Sequence, residues 1–553
     1  MILGIDVGGT HTDAVVISDH QIQSKAKVLT DAGNIMGSLI EATEAVMRDI
    51  DPAALRRVVL STTISTNAIV QGKTEAVGII AAAGPGLPPA LISPRAETRF
   101  VSGYINHRGL EAAPIDEGEI RRCAREFKEG GIAYAGVVGK FSTRNPSHEL
   151  KIRDLITDGF RHISLGHRLS GHLNFPRRLA TTYLNSAIWG LYENFVRAVT
   201  AFVERQGIKV PIYILKADGG TIEIGRSVDY PVQTILSGPA ASIMGILSMT
   251  GGRDDAVALD IGGTTTDIAL FADGVPLLEA LGVTIEGHKT LIRGLRTRSI
   301  GVGGDSAVRL DGGRLEVGPR REGPAAALGG PCPTPTDAMI VLGLTDIGDR
   351  QKARHSLEPL AAALGCAVEE AARAVFGETV RRIAEAVRSF TEEINNRPVY
   401  TIHEMLEGKK IEPRIVYVVG GPAQGLAPAL GKALECPYHI PENAEVANAV
   451  GAALARTTAE VTILADTERR FLTVGEMGLQ MEIPGRFSKE DAIRIGRERL
   501  KETALAMGAS EDELEMETVE EQEFNMVRDF YTAGKNIRVK VQIKPGLISP
   551  LGG

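Results

Sequence analysis

Asp6-Val7-Gly8-Gly9-Thr10-His11-Thr12-Asp13-Ala14-Val15-Val16-Ile17-Ser18-Asp19 returns later in the chain as Asp260-Ile261-Gly262-Gly263-Thr264-Thr265-Thr266-Asp267-Ile268-Ala269-Leu270-Phe271-Ala272-Asp273. Seven of the fourteen positions are identical. Each copy follows an apolar run (Met1–Ile5, and Ala256 to Leu259) and leads into another (Ala14–Ile17, and Ile268 to Phe271). That order predicts a strand, a tight Gly-Gly turn and a returning strand, twice over. Such a hairpin suits a phosphate: glycines let the backbone approach and point successive N–H groups at an anion, and threonine hydroxyls add donors. The leading aspartate repels an ionised phosphate, so Asp6 and Asp260 are expected to hold a hydrated Mg²⁺, with Mn²⁺ as an alternative. A glycine turn without a ligand explains one copy as well as a phosphate loop does. Two copies, each opening a domain-sized segment, favour the phosphate.

Two copies also predict an architecture. The expectation is α/β: two facing actin/ribonuclease-H-like domains, with one loop from each gripping the phosphates of ATP. A third element fits it. Ile415–Val419 is a β-branched strand running into Gly420-Gly421-Pro422-Ala423 and an apolar-rich segment from Leu426 to Leu434. In an actin-type ATPase such a strand, glycine turn and helix pack against adenosine.

Composition is compatible. The chain has 553 residues, 43% apolar and 24% charged, enough for about three domains. Its net charge of −8, from 61 basic and 69 acidic side chains, argues against nucleic acid or an anionic membrane as the main partner. The four cysteines (Cys123, Cys332, Cys366, Cys436) are dispersed, which disfavours a disulfide framework, a cysteine metal site or a bridging iron–sulfur cluster, and suits a cytoplasmic location. No basic leader precedes the first strand, and the longest apolar run, Val77 to Ile92, is interrupted by Pro85, Pro88 and Pro89. Residues 1–75 and 176–250 are expected to form the first actin-like domain, 76–175 a substrate-side insertion, 251–459 the second domain with a connector helix, and 460–553 a small C-terminal α+β domain. Helices are expected at Glu117–Glu129, Thr182–Gln206, Val368–Asn395, Asn443–Arg456 and Lys489–Met507, and the acidic run Ser510–Glu523 as a solvated segment.

Ordered motifs beyond the hairpins carry a family resemblance. Leu60-Ser61-Thr62-Thr63-Ile64-Ser65-Thr66-Asn67-Ala68, Asn145-Pro146-Ser147-His148-Glu149, Thr181-Thr182-Tyr183-Leu184-Asn185-Ser186-Ala187, Ser237-Gly238-Pro239-Ala240 and Pro335-Thr336-Asp337-Ala338 through Leu342-Gly343 appear in sequence. With them the chain resembles the ATPase (hydantoin-utilisation A type) subunit of the hydantoinase/oxoprolinase family, within the actin-like superfamily. The likeness runs from residue 1 to about 455. It departs at Asp305, where the family usually has a small residue, and at Gly-Gly-Pro-Ala for the more usual Gly-Gly-Ala-Gly. The resemblance implies an ATP-dependent hydrolase component that phosphorylates a cyclic amide, such as a hydantoin, 5-oxoproline or another lactam, for ring opening. It implies a second, B-type subunit and an oligomer. The alternatives are an ATP-dependent ketone carboxylase subunit, a small-molecule kinase sharing the loops, and an ATP-gated activator or scaffold.

The candidate catalytic residues are then Asp6, Asp260, Asp13 and Asp267, with Asp6 and Asp260 also the metal candidates. Asp13 and Asp267 end the loops, as bases, as ligands of metal-bound water, or as acceptors for loop N–H groups. Gly8, Gly9, Thr10, His11, Thr12, Gly262, Gly263, Thr264, Thr265 and Thr266 are the nucleotide contacts, and His11, which breaks the Thr-rich repeat, is a candidate for touching substrate. Gly238 and Pro239 are expected to line the phosphate cleft. Gly303, Gly304 and Ser306 are expected as an N–H nest at a helix start, and Gly420 and Gly421 as the adenosine turn. Asp337 is read as a helix cap, Asn145–Glu149 as a helix N-terminus, and Asn67 as either a cleft or a structural residue. His162, His167 and His172 recur every five residues, a spacing that fits neither helix nor strand and gives a metal site only weak support.

Overall fold

The structure, a computed structural model, describes residues 1–551 except 32, 87–96, 253, 280, 397–409 and 529. The far end of the expected apolar run, with Pro88 and Pro89, lies outside the described residues. The chain divides into two compact units: Met1–Ala240, Glu279–Gly294 and Ala452–Ile548 form the first, and Ala241–Leu278, Leu295–Gly451 and Ser549–Gly553 the second.

The first unit holds a six-stranded sheet in the order Thr221–Glu223, Ile212–Leu215, Arg57–Thr62, Ile2–Val7, His11–Ser18, Gln21–Leu29. Ile2–Val7 lies antiparallel to His11–Ser18 and parallel to Arg57–Thr62. This is the actin/ribonuclease-H-like arrangement, a hairpin of three meandering strands followed by parallel crossovers. The central strands are buried nearly throughout, as continuous apolar runs require. Gln21–Leu29 at the edge alternates exposed and half-buried residues. Leu3, Ile5, Val16, Leu39, Leu60, Tyr192 and Ile214 belong to one core, and each such aliphatic side chain contributes about 1.5–3 kcal/mol by leaving water.

The same unit contains the segment expected as an insertion. Its sheet is four-stranded and all parallel, His162–Leu165, Tyr134–Gly139, Val77–Ala82, Glu97–Phe100, covered by the helices Glu117–Glu129 and Ser147–Ile156. The long helix runs Phe175–Arg205, starting before the expected Thr182 because Asn174 caps it by accepting the N–H of Arg177 and a proline follows at the first turn. The C-terminal part is a five-stranded antiparallel sheet, Leu479–Glu482, Phe471–Val474, Glu460–Asp466, Tyr531–Ile543, Met516–Arg528, against the helix Lys489–Ala506. The acidic run is, from Met516 on, an edge strand whose side chains are exposed or half-buried, so it is solvated as expected but not irregular. Its acids face cations of neighbouring elements: Glu520 meets Arg538 at 3.1 Å, Glu523 meets Lys535 at 2.7 Å, and Glu521 meets Lys489 at 2.8 Å.

The second unit repeats the first unit's plan. Thr266–Ala272, Ala256–Ile261 and Ile415–Val419 stand in that order, the first pair antiparallel and the second parallel, with Tyr438–His439 beyond. The helix Val368–Asn395 covers this unit's core through Val375, Ile383 and Val387. The expected connector helix is shorter, Ala447–Leu454, preceded by a single 3-10 turn at Ala444–Val446. No helix among the described residues is long and apolar enough to cross a membrane.

Candidate functional site: two glycine hairpins

Both repeats fold as the predicted hairpins, and they do so in the same register. Asp6 lies opposite Asp13, and Asp260 opposite Asp267. Each turn is closed by one hydrogen bond, Gly8 N–H to His11 O at 3.1 Å and Gly262 N–H to Thr265 O at 2.9 Å. A side chain at position 8 would collide with this closure, since a Cβ there would stand 2.9 Å from His11 O. The final aspartate of each phrase has a structural reason. Asp19 and Asp273 both adopt φ of 49°, turning the chain into the next strand, and aspartate tolerates that left-handed backbone.

Around the first hairpin, the carboxyl ends of two parallel strands meet. Val7 is in register with Thr62, and Thr63 donates its N–H to Val7 O at 3.3 Å. Asn67 donates to Thr63 Oγ1 at 3.2 Å, which gives the Ser/Thr-rich motif a structural task beside the loop. Ser237 bonds Thr62 O at 2.8 Å, and a Cβ on Gly238 would come within 3.2 Å of Thr63. The Ser-Gly-Pro-Ala start of the helix Ser237–Thr250 therefore lies against the same strand end as the hairpin. Asp6 is buried, 3% exposed. Asp13 is held by Lys27 of the edge strand, whose Nζ is 2.7 and 2.9 Å from its two oxygens.

Around the second hairpin, Asp260 is in register with Val419, one residue before the Gly-Gly turn. Gly420 has φ of 96°, and a Cβ there would stand 2.2 Å from Ile261 O, so only glycine fits. Ser242 donates to Asp260 and lies 2.8 Å from Asn448 Oδ1. The segment expected as an N–H nest has another task. Gly304 and Asp305 donate their N–H groups to Gly262 O at 2.9 Å and Gly263 O at 2.7 Å, and Gly303 donates to Ser306 Oγ at 2.8 Å. No helix starts there. These donors brace the second hairpin from behind, and a Cβ on Gly303 would stand 2.5 Å from Gly262 O. Asp305 pairs with Arg321 at 3.0 Å.

The electrostatics of the closing aspartates differ. Burial, then the charge on Asp260, push the Asp267 carboxyl up to about 6, against the opposing effect of a hydrogen bond from Ser299. Asp337 is not the cap of its helix. Thr334 caps Pro335–Val341, and Asp337 sits at the third position, closing a capping box and also accepting N–H groups of Ala326 and Ala327 at 3.0 and 2.8 Å.

The three histidines do not converge. His162 stacks on Trp189 with ring centroids 4.6 Å apart. His167 Nδ1 is 2.5 Å from Glu149, which also accepts the N–H of Gly139 at 2.7 Å. His172 lies between Arg538 and Lys540, and burial and Lys540 lower it to about 4. Glu149 of the Asn-Pro-Ser-His-Glu motif is thus a buried organiser of the insertion sheet, and Asn145 caps locally by accepting the N–H of Ser147 at 3.0 Å. Lys27, Ser299 and Ser242 are the residues at the hairpins that sequence reasoning missed. None of the three left a legible trace: the two-residue turn by itself sets Ala26 opposite Asp13, and an irregularity between Val16 and Ile17 shifts the register to Lys27.

Known proteins resemble this chain in sequence and in fold. The family described as Hydantoinase/oxoprolinase matches residues 178–461, and its N-terminal region matches residues 2–160. The chain is 28% identical over 422 residues to the caprolactamase subunit alpha of Pseudomonas jessenii, covering 67% of this chain and 60% of that protein. It is 26% identical over 390 residues to the acetophenone carboxylase gamma subunit of Aromatoleum aromaticum, covering 62% of this chain and 53% of that one. The chain therefore spans about three fifths of the first relative's length and about half of the second's. The solved ATP-dependent caprolactamase of Pseudomonas jessenii superposes with a TM-score of 0.73 at 19% identity, over 98% of this chain and 87% of that one.

Proposed function

Because the chain belongs to the hydantoinase/oxoprolinase family, we propose that it is an ATP-dependent component that phosphorylates a cyclic amide and so activates it for ring opening. The observation that carries this reading is the doubled hairpin with paired aspartates in one register, Asp6 with Asp13 and Asp260 with Asp267. The similarity to a caprolactamase subunit supports a lactam as substrate. Lactam carbonyls are resonance-stabilised, and ATP with Mg²⁺ supplies an electrophilic phosphoryl group that makes the amide oxygen part of a leaving group.

In this reading the chain's own residues position and neutralise charge. Both glycine hairpins present N–H groups and threonine hydroxyls to phosphate oxygens. Asp6 or Asp260, each beside its own hairpin, would hold a hydrated Mg²⁺, and that ion would neutralise phosphate charge. The residues fit that ion: Mg²⁺ keeps several waters and needs only one or two carboxylates, and Asp6 and Asp260 each stand at a strand end beside a glycine turn. Asp267, with its carboxyl pushed up to about 6, is able to hold or release a proton near neutral pH. Gly420 and Gly421 receive the adenosine. A second subunit is proposed to supply the water attack, in keeping with relatives that are themselves named as subunits.

ATP turnover measured with hydantoin, 5-oxoproline and a panel of lactams, with and without a B-type subunit, tests the proposal. Stimulation by at least one cyclic amide is expected, and no stimulation in either condition overturns it. A stable phosphoester product would instead favour the kinase. The similarity to a carboxylase subunit favours one second reading, phosphorylation of a ketone enol for carboxylation. Stimulation by acetophenone and bicarbonate alone would select it.

A further inference from the structure

The strand Met516–Arg528 ends the five-stranded C-terminal sheet, with Tyr531–Ile543 on one side and no strand on the other among the described residues. It is 13 residues long. A free edge of that length offers a row of unpaired N–H and C=O groups, which proteins blunt by shortening the strand, bending it or setting charges along it. This strand is blunted weakly. From Glu520 to Arg528 it runs without an extra residue: its own irregularity lies earlier, between Thr518 and Glu520, and the one at Met526 puts the extra residue, Ala533, in the neighbouring strand. Its acids are poor guards, because Glu520, Glu521 and Glu523 are each answered by a cation of the same chain.

Apolar groups collect toward the turn. Phe524 is 60% exposed and Val527 67%, and Phe530 and Tyr531 are more exposed still. The ladder with Glu460–Asp466 reaches only Asn536, so this outer part is a two-stranded ribbon. Such a ribbon is marginal in water when nothing packs on it, and a cluster of exposed apolar side chains marks an interaction site.

The order of residues along the edge selects what covers it. Counted outward from Phe524 in both directions, Glu523 matches Asn525, Gln522 matches Met526, Glu521 matches Val527 and Glu520 matches Arg528. A second copy of the strand, laid antiparallel about a two-fold axis at Phe524, would therefore set no acid opposite an acid. It would set Phe524 against itself and Glu520 against Arg528 twice, and aromatic and opposite-charge pairs directly opposite each other stabilise a sheet. Within one chain Glu520 meets Arg538 at 3.1 Å and Arg528 meets Glu468 at 2.6 Å. Pairing of two copies would join these into a row of alternating sign: Arg538, Glu520, Arg528, Glu468. Other axes fit less well. An axis at Glu523 sets that acid against itself, one at Gln522 sets Glu521 against Glu523, and one at Asn525 puts Arg528 opposite Gln522.

We propose that this edge is a homodimer contact: two copies of the chain pair through Glu520 to Arg528, antiparallel about Phe524, and join their C-terminal sheets into one. A two-fold contact of this kind uses the same patch on both copies and closes on itself. Sedimentation velocity of the intact chain, without nucleotide or a B-type subunit, reads the stoichiometry. A dimer is expected. Phe524→Glu, at an exposed position, puts two carboxylates on the axis and is expected to weaken the dimer about ten-fold or more. Cross-linking reads the register. Opposed residues of an antiparallel pair have Cα atoms about 4.5–5.5 Å apart, within the span of a disulfide, and only the residue on the axis faces its own copy. Phe524→Cys is therefore expected to give a covalent dimer under mild oxidation, while Gln522→Cys and the unsubstituted chain stay uncrosslinked. Should Phe524→Glu fold poorly, the cross-link decides alone. A monomer at tens of micromolar overturns the proposal, as does a dimer indifferent to Phe524→Glu or a Phe524→Cys chain that does not cross-link. A contact at this edge that forms only when a B-type subunit is added overturns it in favour of a different occupant. None of these outcomes depends on whether the hairpins bind nucleotide.

Discussion

The first hairpin and the second diverge at the residue that the next strand sets opposite the closing aspartate. Opposite Asp13 stands Lys27, and opposite Asp267 stands Ser299. Lys27 meets Asp13 with a full charge, whereas Ser299 offers one hydroxyl to a carboxyl that already faces Asp260. One sequence phrase therefore builds two electrostatic environments. The phrase fixes where the backbone groups and aspartates stand; in the second copy burial and Asp260 raise the Asp267 carboxyl against a hydrogen bond from Ser299, and in the first a lysine meets Asp13. In the proposed function the first hairpin is a fixed anion holder and the second a place where a proton is exchanged near neutral pH.

The comparison breaks outright if the hairpins are not both needed. Asp6→Ala and Asp260→Ala are each expected to lower ATP turnover about 10²–10³-fold, read by phosphate release. A neutral result at either would make one hairpin a structural copy. Next in size is the pH response of Asp267. Its folded pKa of about 6 lies above the ordinary 3.8, so between those values the folded state binds the extra proton. Stability from this group is fully present below about pH 4 and falls, by up to ~3 kcal/mol, as pH rises through 6. Asp267→Asn is expected to flatten that slope in thermal unfolding scans in metal-free buffer. A slope unchanged in the variant would remove Asp267 as its source.

Smaller effects sharpen the contrast. Lys27→Met leaves Asp13, 8% exposed in its side chain, without its cation, and is expected to cost ~1–2 kcal/mol, the half-exposed lysine limiting the loss. Adding Asp13→Asn should restore most of it, and a denaturant melt of the three variants measures the coupling. The least effect is expected from Ser299→Lys, which makes the second hairpin like the first. It should move the pH inflection of Asp267 downward with little change in stability at pH 7, and an unmoved inflection would show that burial and Asp260 set it without the facing residue.

What could be read from sequence follows the distance over which each feature is encoded. Each hairpin lies within fourteen contiguous residues, and both strands and the turn were legible. The Gly-Gly turn at 420–421 was legible for the same reason, as a strand, turn and helix in succession. Lys27 was not, because continuing the register through the next short turn leads to Ala26, and only the shift between Val16 and Ile17 brings Lys27 opposite Asp13. Ser299 follows the second hairpin after a long excursion, and nothing local marks it. The bracing role of Gly303 and Gly304 depends on contact with a loop forty residues earlier, so the segment looked like a free anion nest. The acidic run Ser510–Glu523 was legible as solvated but not as the strand Met516–Arg528, because its partners Arg538 and Lys535 lie on the far side of a turn. The regular spacing of His162, His167 and His172 had no spatial meaning, since each ring points to different neighbours.

The path of the chain has a consequence for how the protein is made. The first unit draws on three stretches, and one of them, Glu279–Gly294, is a brief return from the middle of the second unit. That return is tightly bound: Val283, Ile285 and Ile292 are buried with Ala68, Leu184 and Ile188, and Arg177 grips the carbonyls of Leu281 and Thr290 at 2.7 and 3.2 Å. A ribosome delivers the chain in order, so the first unit, although it begins at residue 1, cannot close until the stretch ending at Ile548 has emerged. The buried core of its six-stranded sheet, from Leu3 to Ile224, is at hand early, whereas the face of Ala68, Leu184 and Ile188 must wait uncovered for Val283, Ile285 and Ile292. The second unit, nearly all of which lies between Ala241 and Gly451, has most of its partners at hand sooner. The unit that is begun first is therefore completed last, and the face of Ala68, Leu184 and Ile188 is where the nascent first unit would need chaperone protection until Ile292 has emerged.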